Sequence, residues 1–493
     1  MNQIVHASAG KTDIPLYVDL DGTLVKTDIA QELLVRAFRF PEALKAGLSA
    51  VPKGISPLKH ALAHHVPLDA KRLPYRPGVL DHIAAARAAG RRVVLATAAD
   101  QRVAEQVAEH LQIFDAVLAS TPKLNLKSEA KLAAIKADAR AHSDSEAFEY
   151  LGDSRADLVI WEAATLRGFA QMPNGAEPLA KDSGQVSLML PSDGGLARPL
   201  IKAMRPHQWS KNVLVFLPLL FAHLYFVPGS LILSLVAFMA FSLCASAVYL
   251  VNDLLDIEAD RAHATKHLRP FASGRIRPLH GCVVAAVLFL AALALGFGGA
   301  GPWFGVVLVL YILMTNIYSF WLKSHSTIDV VILALLYTTR IVAGAAALKV
   351  VPSPWILTFS LFFFLSLAYM KRYIELCDVE SDDQLPARGY WSSDLNVIRT
   401  FGISNAALSL LTLAEYVSAP EIQGRYQSPG LLWIMIPMMM FWSYRTWLKA
   451  TRGQVGGDPV VFALKDRVSR ATGVAVLMVV ILANQVNLGW MLP

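Results

Sequence analysis

Cysteine is nearly missing from this chain. The three that occur in 493 residues, Cys244, Cys282 and Cys377, lie in or beside apolar segments without metal-ligand spacing, which excludes a disulfide framework and a zinc site. Charge is sparse as well: Asp, Glu, Lys and Arg together make 17% of the chain, against about 25% in ordinary soluble domains. The first residues, Met1 to Lys11, lack the cationic flank and apolar core of an export signal, so the N-terminal domain is expected to stay in the cytoplasm. Also missing is any single basic patch. The formal net charge of +7 comes from residues that alternate with apolar segments, which argues against a nucleic-acid binder and for membrane loops.

What is present is length and an uneven distribution of apolar residues. At 493 residues the chain predicts two or three domains. Up to about residue 200 the apolar runs are short; from Val213 onward they approach the twenty residues a helix needs to cross a bilayer. Nine spans are expected, at 212–227, 230–251, 280–299, 302–322, 328–349, 354–376, 397–418, 430–448 and 470–490. With that count the loops on one side hold Arg261, Lys266, Arg269, Arg275, Arg277, Lys323, Lys371, Arg372, Arg388 and further cations, and the other side shows only Lys349 and Arg425. The positive-inside rule puts the loaded loops and the N-terminal domain in the cytoplasm, and the chain in a bacterial inner (plasma) membrane. The domains read as 1–170, a Pro- and Gly-containing linker 171–197 with one short strand at Val186 to Leu190, and a membrane domain 198–493 that opens on an interfacial helix at Arg198 to Lys211.

In the first domain an apolar strand, Ile14 to Leu20, runs into Asp19-Leu-Asp21-Gly22-Thr23. Two aspartates around one residue and then glycine, at the carboxyl end of a strand, suit phosphate handling in an α/β domain. A mostly helical stretch, Asp28 to Leu73, follows; a second strand ends at Thr97; Lys127 precedes the helix Glu129 to Ala141; and a further strand ends in Gly152-Asp153 with Asp157 four residues on. In this order the elements resemble the four motifs of the haloacid dehalogenase superfamily, with Ser128 standing where relatives often carry glycine. The resemblance implies a Rossmann-like α/β domain with a helical cap. It further implies Asp19 as a nucleophile forming an aspartyl-phosphate, Asp21 as general acid and base, Thr97 and Lys127 on the phosphoryl group, and Mg²⁺ held by Asp19, Asp153 and Asp157.

In the membrane domain, Asn252-Asp253-x-x-Asp256-x-x-x-Asp260 follows the second span. On a continuous helix those aspartates share one face, and three like charges there suit a Mg²⁺ ion with substrate phosphates. Arg261, Lys266 and Arg269 bring cations for the phosphates. Arg340 lies deep in a span, where it needs a carboxylate partner or a substrate. Nine spans with this motif resemble the UbiA superfamily of intramembrane prenyltransferases, an all-α membrane bundle. The usual second aspartate-rich motif is replaced by Lys371-Arg372-Tyr-Ile-Glu375, with Asp378, Asp382 and Asp383 only loosely imitating it. That departure is more similar to the branch that includes decaprenyl-phosphate phosphoribosyltransferases. This resemblance implies Mg²⁺ on Asp253, Asp256 and Asp260, oriented by Asn252, and phosphates divided among Arg261, Lys266, Arg269, Lys323, Arg340, Lys371 and Arg372. Phosphoribosyl diphosphate would be donor and a polyprenyl phosphate acceptor, with the first domain removing phosphate from the lipid product. The alternatives are prenyl transfer from a polyprenyl diphosphate to an aromatic acceptor, or a non-enzymatic scaffold or transporter among membrane lipids.

Overall fold

A computed structural model describes residues 5–6, 14–143, 145–192, 194–378, 385 and 388–487. The chain forms two compact units, Met1–Arg205 with Tyr249–Ala286, and Pro206–Val248 with Val287–Pro493.

The first unit is built on a seven-stranded sheet. Its strands are β1 (Val5–His6), β2 (Leu16–Val18), β3 (Val93–Asp100), β4 (Ala116–Ser120), β5 (Glu149–Gly152), β6 (Leu166–Phe169) and β7 (Val186–Met189). Their spatial order is β1-β7-β6-β5-β2-β3-β4, parallel except for β1 against β7. Both faces are covered, so the inner strands read as unbroken apolar runs. The period of two sends Leu16, Val18, Val93 and Leu95 to one core and Tyr17, Val94 and Ala96 to the other. The short strand within the stretch read as a linker is β7, which pairs in parallel with β6.

Between β2 and β3 stand α1 (Ile29–Arg36), α2 (Pro41–Ala50), α3 (Ile55–His65) and α4 (Pro77–Ala88). The first starts on an N-cap in which the Asp28 carboxylate accepts from Gln31 N, and α4 is followed by Gly90 at φ +78°. Then come α5 (Gln101–Leu111), α6 (Glu129–Ser143) and α7 (Leu158–Ala163). The chain passes from β2 to β3 and β4 on one side and then to β5 on the other. This reversal opens a crevice at the carboxyl ends of β2 and β5, the place where open α/β sheets bind ligands.

In the second unit and the segment that leads out of it, seven helices among the described residues are long and apolar enough to cross a membrane: Ser230–Leu255, Pro278–Ala300, Pro302–Phe320, Ile328–Leu348, Pro354–Cys377, Ser392–Ser418 and Arg467–Gln485. Two of the nine expected spans differ. The first is a 3₁₀ run, Pro206–Phe216, followed by a five-residue helix, Leu217–Phe221. The eighth is a 3₁₀ turn, Pro429–Ile434, leading into the 17-residue helix Met435–Thr451. Pro206 and Pro218 in the former and Pro429 in the latter each remove a backbone donor, which disfavours a regular α-helix there. At residues 488–490 the last expected span lies outside the described residues. Gly344 allows close packing within this unit: a Cβ there would stand 2.0 Å from the Val215 carbonyl oxygen.

One buried charge in the first unit carries a testable pH dependence. Glu149 on β5 is fully buried and accepts from His82 Nε2 at 2.7 Å and Arg91 Nη2 at 2.5 Å. Burial alone would raise its carboxyl, but those partners outweigh it and hold the pKa at about 2, against 4.5 ordinarily. A depressed pKa contributes stability that is fully present above 4.5 and is lost as pH falls toward 2, about 3 kcal/mol in all. Thermal unfolding should therefore steepen in its pH dependence below pH 4.5, and Glu149→Gln should lower the melting temperature at neutral pH while flattening that acid limb. An unchanged acid limb in the variant would contradict the assignment.

Candidate functional site

Asp19 leaves the end of β2, Asp153 the end of β5, and Thr97 sits buried inside β3. All three line a cavity of about 540 Å³, together with Asp21, Lys127 and Asp157. Gly22 makes the approach possible. It holds φ at +76°, and a Cβ there would fall 2.0 Å from Asp153 Oδ2. Asp19, Asp153 and Asp157 each offer an oxygen within 4.8 Å of the others, and all are buried. Burial first, and Asp157 after it, raise the Asp19 carboxyl against the pull of Lys131, and burial pushes Asp153 up to about 7 against the pull of Arg277. Three buried carboxylates gathered this closely have the donor chemistry that a hard divalent cation satisfies. Asp21, whose Oδ1 accepts from Ile29 N at 2.8 Å, is raised well above the usual range, by burial first and by Asp28 next.

Whereas the family resemblance implies Lys127 on the phosphoryl group, the lysine paired with Asp19 is Lys131. Its Nζ lies 3.1 Å from Asp19 Oδ1 and 3.5 Å from Asp157 Oδ1, and donates to the Tyr150 hydroxyl at 2.9 Å. Burial alone would lower its pKa, but the two carboxylates raise it and hold the ammonium charged. Lys127 is on the cavity wall one turn earlier, in the loop before α6. Asp157 is fixed further by Tyr150 Oη at 2.7 Å and by Ser154 N and Oγ at 3.0 and 2.8 Å.

The aspartate stretch after the helix Ser230–Leu255 departs from a continuous helical face. The helix breaks at Asp256, and a new one, Ile257–Ala262, begins. Among the described residues Asp253, Asp256 and Asp260 do not converge as the first trio does. Each meets an arginine instead. Asp253 pairs with Arg205 at 2.5 Å, Asp256 with Arg39 at 2.6 Å, and Asp260 with Arg269 at 2.8 Å, while Arg269 also reaches Asp253 at 3.3 Å. As arranged, these carboxylates are satisfied by guanidinium groups and do not form a cation cage. Asn252 is half-buried, and its carbonyl accepts from Asp256 N; Lys266 is exposed on a 3₁₀ turn.

Arg261, expected on a phosphate, faces the helical insert. Its two Nη atoms donate to the Glu32 carboxylate of α1 at 2.9 and 2.5 Å, and its Nε to the Ala272 carbonyl. Glu32 is only 1% exposed and needs a cation, which the bidentate guanidinium supplies. Arg36 pairs with Glu258, and Gln31 Oε1 accepts from Leu279 N at 3.1 Å. From the same stretch Arg277 enters the first cavity, its Nη2 2.6 Å from Asp153 Oδ2.

In the second unit Arg340 has neutral partners and, among the described residues, no carboxylate within ion-pair distance. It donates to Asn212 Oδ1 at 2.9 Å, to the Tyr311 hydroxyl at 3.2 Å and to the Leu336 carbonyl, and lies over the rings of Phe241, Tyr311 and Tyr337. It thus keeps a net positive charge inside the bundle, shielded by aromatic faces. Arg372 is committed elsewhere than to a phosphate: fully buried, it pairs with Asp329 at 2.6 Å and with Glu375. Asp329 is itself buried and also accepts from Tyr390 Oη at 2.5 Å, so the arginine neutralises it. Lys371 is half-buried beside it, Lys323 sits on the 3₁₀ turn Leu322–Ser324, and Lys211 pairs with Asp458 at 2.6 Å. Asp378 is exposed, and Asp382 and Asp383 lie outside the described residues.

Residues 213–465 match the UbiA prenyltransferase family, and residues 16–160 match haloacid dehalogenase-like hydrolases. An uncharacterized protein, y4nM, of Sinorhizobium fredii (strain NBRC 101917 / NGR234) is 37% identical over 480 residues, 95% of this chain and 91% of that one. A decaprenyl-phosphate phosphoribosyltransferase of Mycobacterium tuberculosis (strain CDC 1551 / Oshkosh) is 34% identical over 288 residues, 57% of this chain and 92% of that enzyme. Among solved structures, a UbiA homolog from Archaeoglobus fulgidus bound to GPP and Mg²⁺ aligns with a TM-score of 0.44 at 14% identity, over 57% of this chain and 99% of that one. With seven apolar helices of crossing length, the chain is an integral, multi-pass membrane protein. It is an enzyme that belongs to the UbiA prenyltransferase family, related to decaprenyl-phosphate phosphoribosyltransferases and carrying a haloacid dehalogenase-like hydrolase domain.

Proposed function

We propose that this chain transfers phosphoribose from phosphoribosyl diphosphate to a polyprenyl phosphate, and that its N-terminal domain then hydrolyses the 5-phosphate of the lipid-linked product. The observation that carries this reading is that the stretch bearing Asp253, Asp256 and Asp260 also sends Arg277 to the Asp19 cavity. The 34% identity to a decaprenyl-phosphate phosphoribosyltransferase across 92% of its length supports the choice of donor and acceptor.

In the transfer, an oxygen of the ionised lipid phosphate bonds to the anomeric carbon while the bond from that carbon to diphosphate breaks. No proton needs to be removed from the acceptor. Arg205, Arg269 and Arg39 are suited to exchange their carboxylate partners for the diphosphate, which leaves Asp253, Asp256 and Asp260 to the donor's Mg²⁺. Arg340, with only neutral partners, supports the developing negative charge in the bundle. We assign Lys266, Lys323 and Lys371 to the phosphates with it.

In the hydrolysis, an Asp19 oxygen attacks phosphorus and the departing sugar oxygen takes the proton of Asp21. Asp21 then accepts a proton from the water that cleaves the aspartyl-phosphate. Its raised pKa suits the acid role. Lys131 and Thr97 hold phosphoryl oxygens. Asp19, Asp153 and Asp157 would hold Mg²⁺, which screens the phosphoryl charge from the Asp19 nucleophile.

We place both sites on the cytoplasmic side, with nine crossings. Pro206–Phe221 contributes eleven 3₁₀ and five α-helical residues, which at about 2.0 and 1.5 Å per residue reach roughly 30 Å. The helical run 429–451 supplies the ninth, and this count gathers the cation-rich loops on one side.

Membranes holding the protein, incubated with Mg²⁺, polyprenyl phosphate and labelled phosphoribosyl diphosphate, should carry label into the organic phase, and Asp256→Asn should abolish it. The labelled lipid should lack its 5-phosphate unless Asp19→Asn is present. Absence of label with folded protein would contradict the transfer. For the hydrolase, Lys131→Ala should lower phosphate release at least about a hundredfold and Lys127→Ala far less; the reverse order would restore Lys127 to the role. Because burial raises Asp153 to about 7, Mg²⁺ must displace a proton below that pH. Titrations of hydrolase activity with Mg²⁺ should then show apparent affinity weakening about tenfold per unit as pH falls below 7, whereas a pH-independent affinity would argue against Asp153 as a ligand.

A further inference from the structure

The helical insert of the first unit ends in an apolar tip. At the turn between α2 and α3, Leu48 is 65% exposed, Val51 57% and Ile55 65%, with Pro52 and exposed Lys53 between the last two and exposed Lys45 just before the first. Three such residues on one turn form an exposed apolar patch, and among the described residues each stays more than half exposed. Apolar side chains flanked by lysines are the pattern of segments that lie in a membrane interface, the apolar groups among the acyl chains and the ammonium groups at anionic headgroups.

The same insert is tied to the ends of two membrane-crossing helices. Arg39 and Arg36 of the insert hold Asp256 and Glu258, just past the helix Ser230–Leu255, and Gln31 Oε1 accepts from the backbone of Leu279, at the start of Pro278–Ala300. Both helix ends border the loop 256–277 and so emerge at one membrane surface. The insert therefore contacts the chain where the one helix has ended and the other begins. Ile55 of the tip and Leu34 of α1 are also on the wall of the Asp19 cavity, which joins the apolar tip to the site of phosphate chemistry.

From this geometry we infer that the α2–α3 tip, Leu48 to Ile55, docks on the lipid surface and opens the Asp19 cavity toward a phosphomonoester held in the membrane. A substrate anchored by an apolar chain then passes along Ile55 and Leu34 with its phosphate directed to Asp19 and Lys131, while a soluble phosphomonoester gains nothing from the tip. The lipid contact stands on the geometry alone; the substrate class rests on the hydrolase reading above.

The test uses the full chain in vesicles of phosphatidylethanolamine and phosphatidylglycerol. With Cys244, Cys282 and Cys377 replaced by alanine, an environment-sensitive fluorophore is placed at Leu48→Cys, at Val51→Cys and, for comparison, at Ala137→Cys on the exposed side of α6. Lipid-borne quenchers should quench positions 48 and 51 at least about twofold more than position 137. A photoreactive lipid should label the 45–55 peptide of the unaltered chain, which gives the answer without substitution. Leu48→Glu with Val51→Glu should slow hydrolysis of a lipid-anchored phosphomonoester about tenfold and leave p-nitrophenyl phosphate hydrolysis unchanged. Equal quenching at positions 48 and 137 with no labelling of the peptide overturns the lipid contact. Equal loss of both substrates overturns the substrate class. If the unaltered chain hydrolyses neither ester, the hydrolase reading fails, and quenching still decides the lipid contact.

Discussion

The pairing of Arg261 with Glu32 is the constraint on which the first unit depends. Glu32 is 1% exposed and also accepts from Thr27 Oγ1 at 2.6 Å, and a guanidinium 229 positions away in sequence meets this buried carboxylate with two hydrogen bonds. Removing one member of such a pair costs about 3–5 kcal/mol, chiefly because the other is left charged and dry. The Arg39–Asp256 pair beside it is more exposed, at 34% and 29%, and contributes at most about 1 kcal/mol. The buried pair thus fixes the loop against the insert, and the surface pair sets its register. Once fixed, the loop delivers Arg277 to Asp153 and leaves the insert at the ends of two membrane helices.

Two groups of three aspartates in this unit show how neighbours decide what a carboxylate can do. Asp19, Asp153 and Asp157 share one buried lysine and a single arginine contact, and their oxygens converge within 4.8 Å. Repulsion among them is left for a cation to relieve. Asp253, Asp256 and Asp260 are separated by a helix break and matched with Arg205, Arg39 and Arg269. That group matches carboxylates with guanidiniums, so charge is balanced within it. The same residue type thus makes a cation-seeking cluster in one place and a set of ion pairs in the other.

Much of the first site was legible in the sequence because strand ends are. Asp19, Thr97 and Asp153 sit at or in apolar strands, and the fold brings the ends of parallel strands together. Lys131 left a weaker trace that was readable in principle: with Ile135 and Ala139 it forms the buried stripe of α6 at spacings of four, and a lysine in such a stripe needs a carboxylate. The destinations of Arg261 and Arg372 could not be read, since each answers to a buried acid, Glu32 or Asp329, that lies far off in sequence. The membrane helices were visible from length and hydropathy alone. The irregular shapes of Pro206–Phe221 and of the start of 429–451 were not, because prolines disturb the helix there without lowering its apolar character. Nor does local sequence reveal that Glu32, Arg36 and Arg39, inside an ordinary amphipathic insert, are the partners of a membrane loop.

The most direct measurement is hydrogen exchange on the full chain in detergent or lipid, comparing the unaltered protein with Glu32→Ala. If the buried pair holds insert and loop as one body, amides of residues 29–39 and of 256–277 lose protection together, although only the first stretch contains the substitution. Loss of protection confined to 29–39, with 256–277 unchanged, would contradict the account.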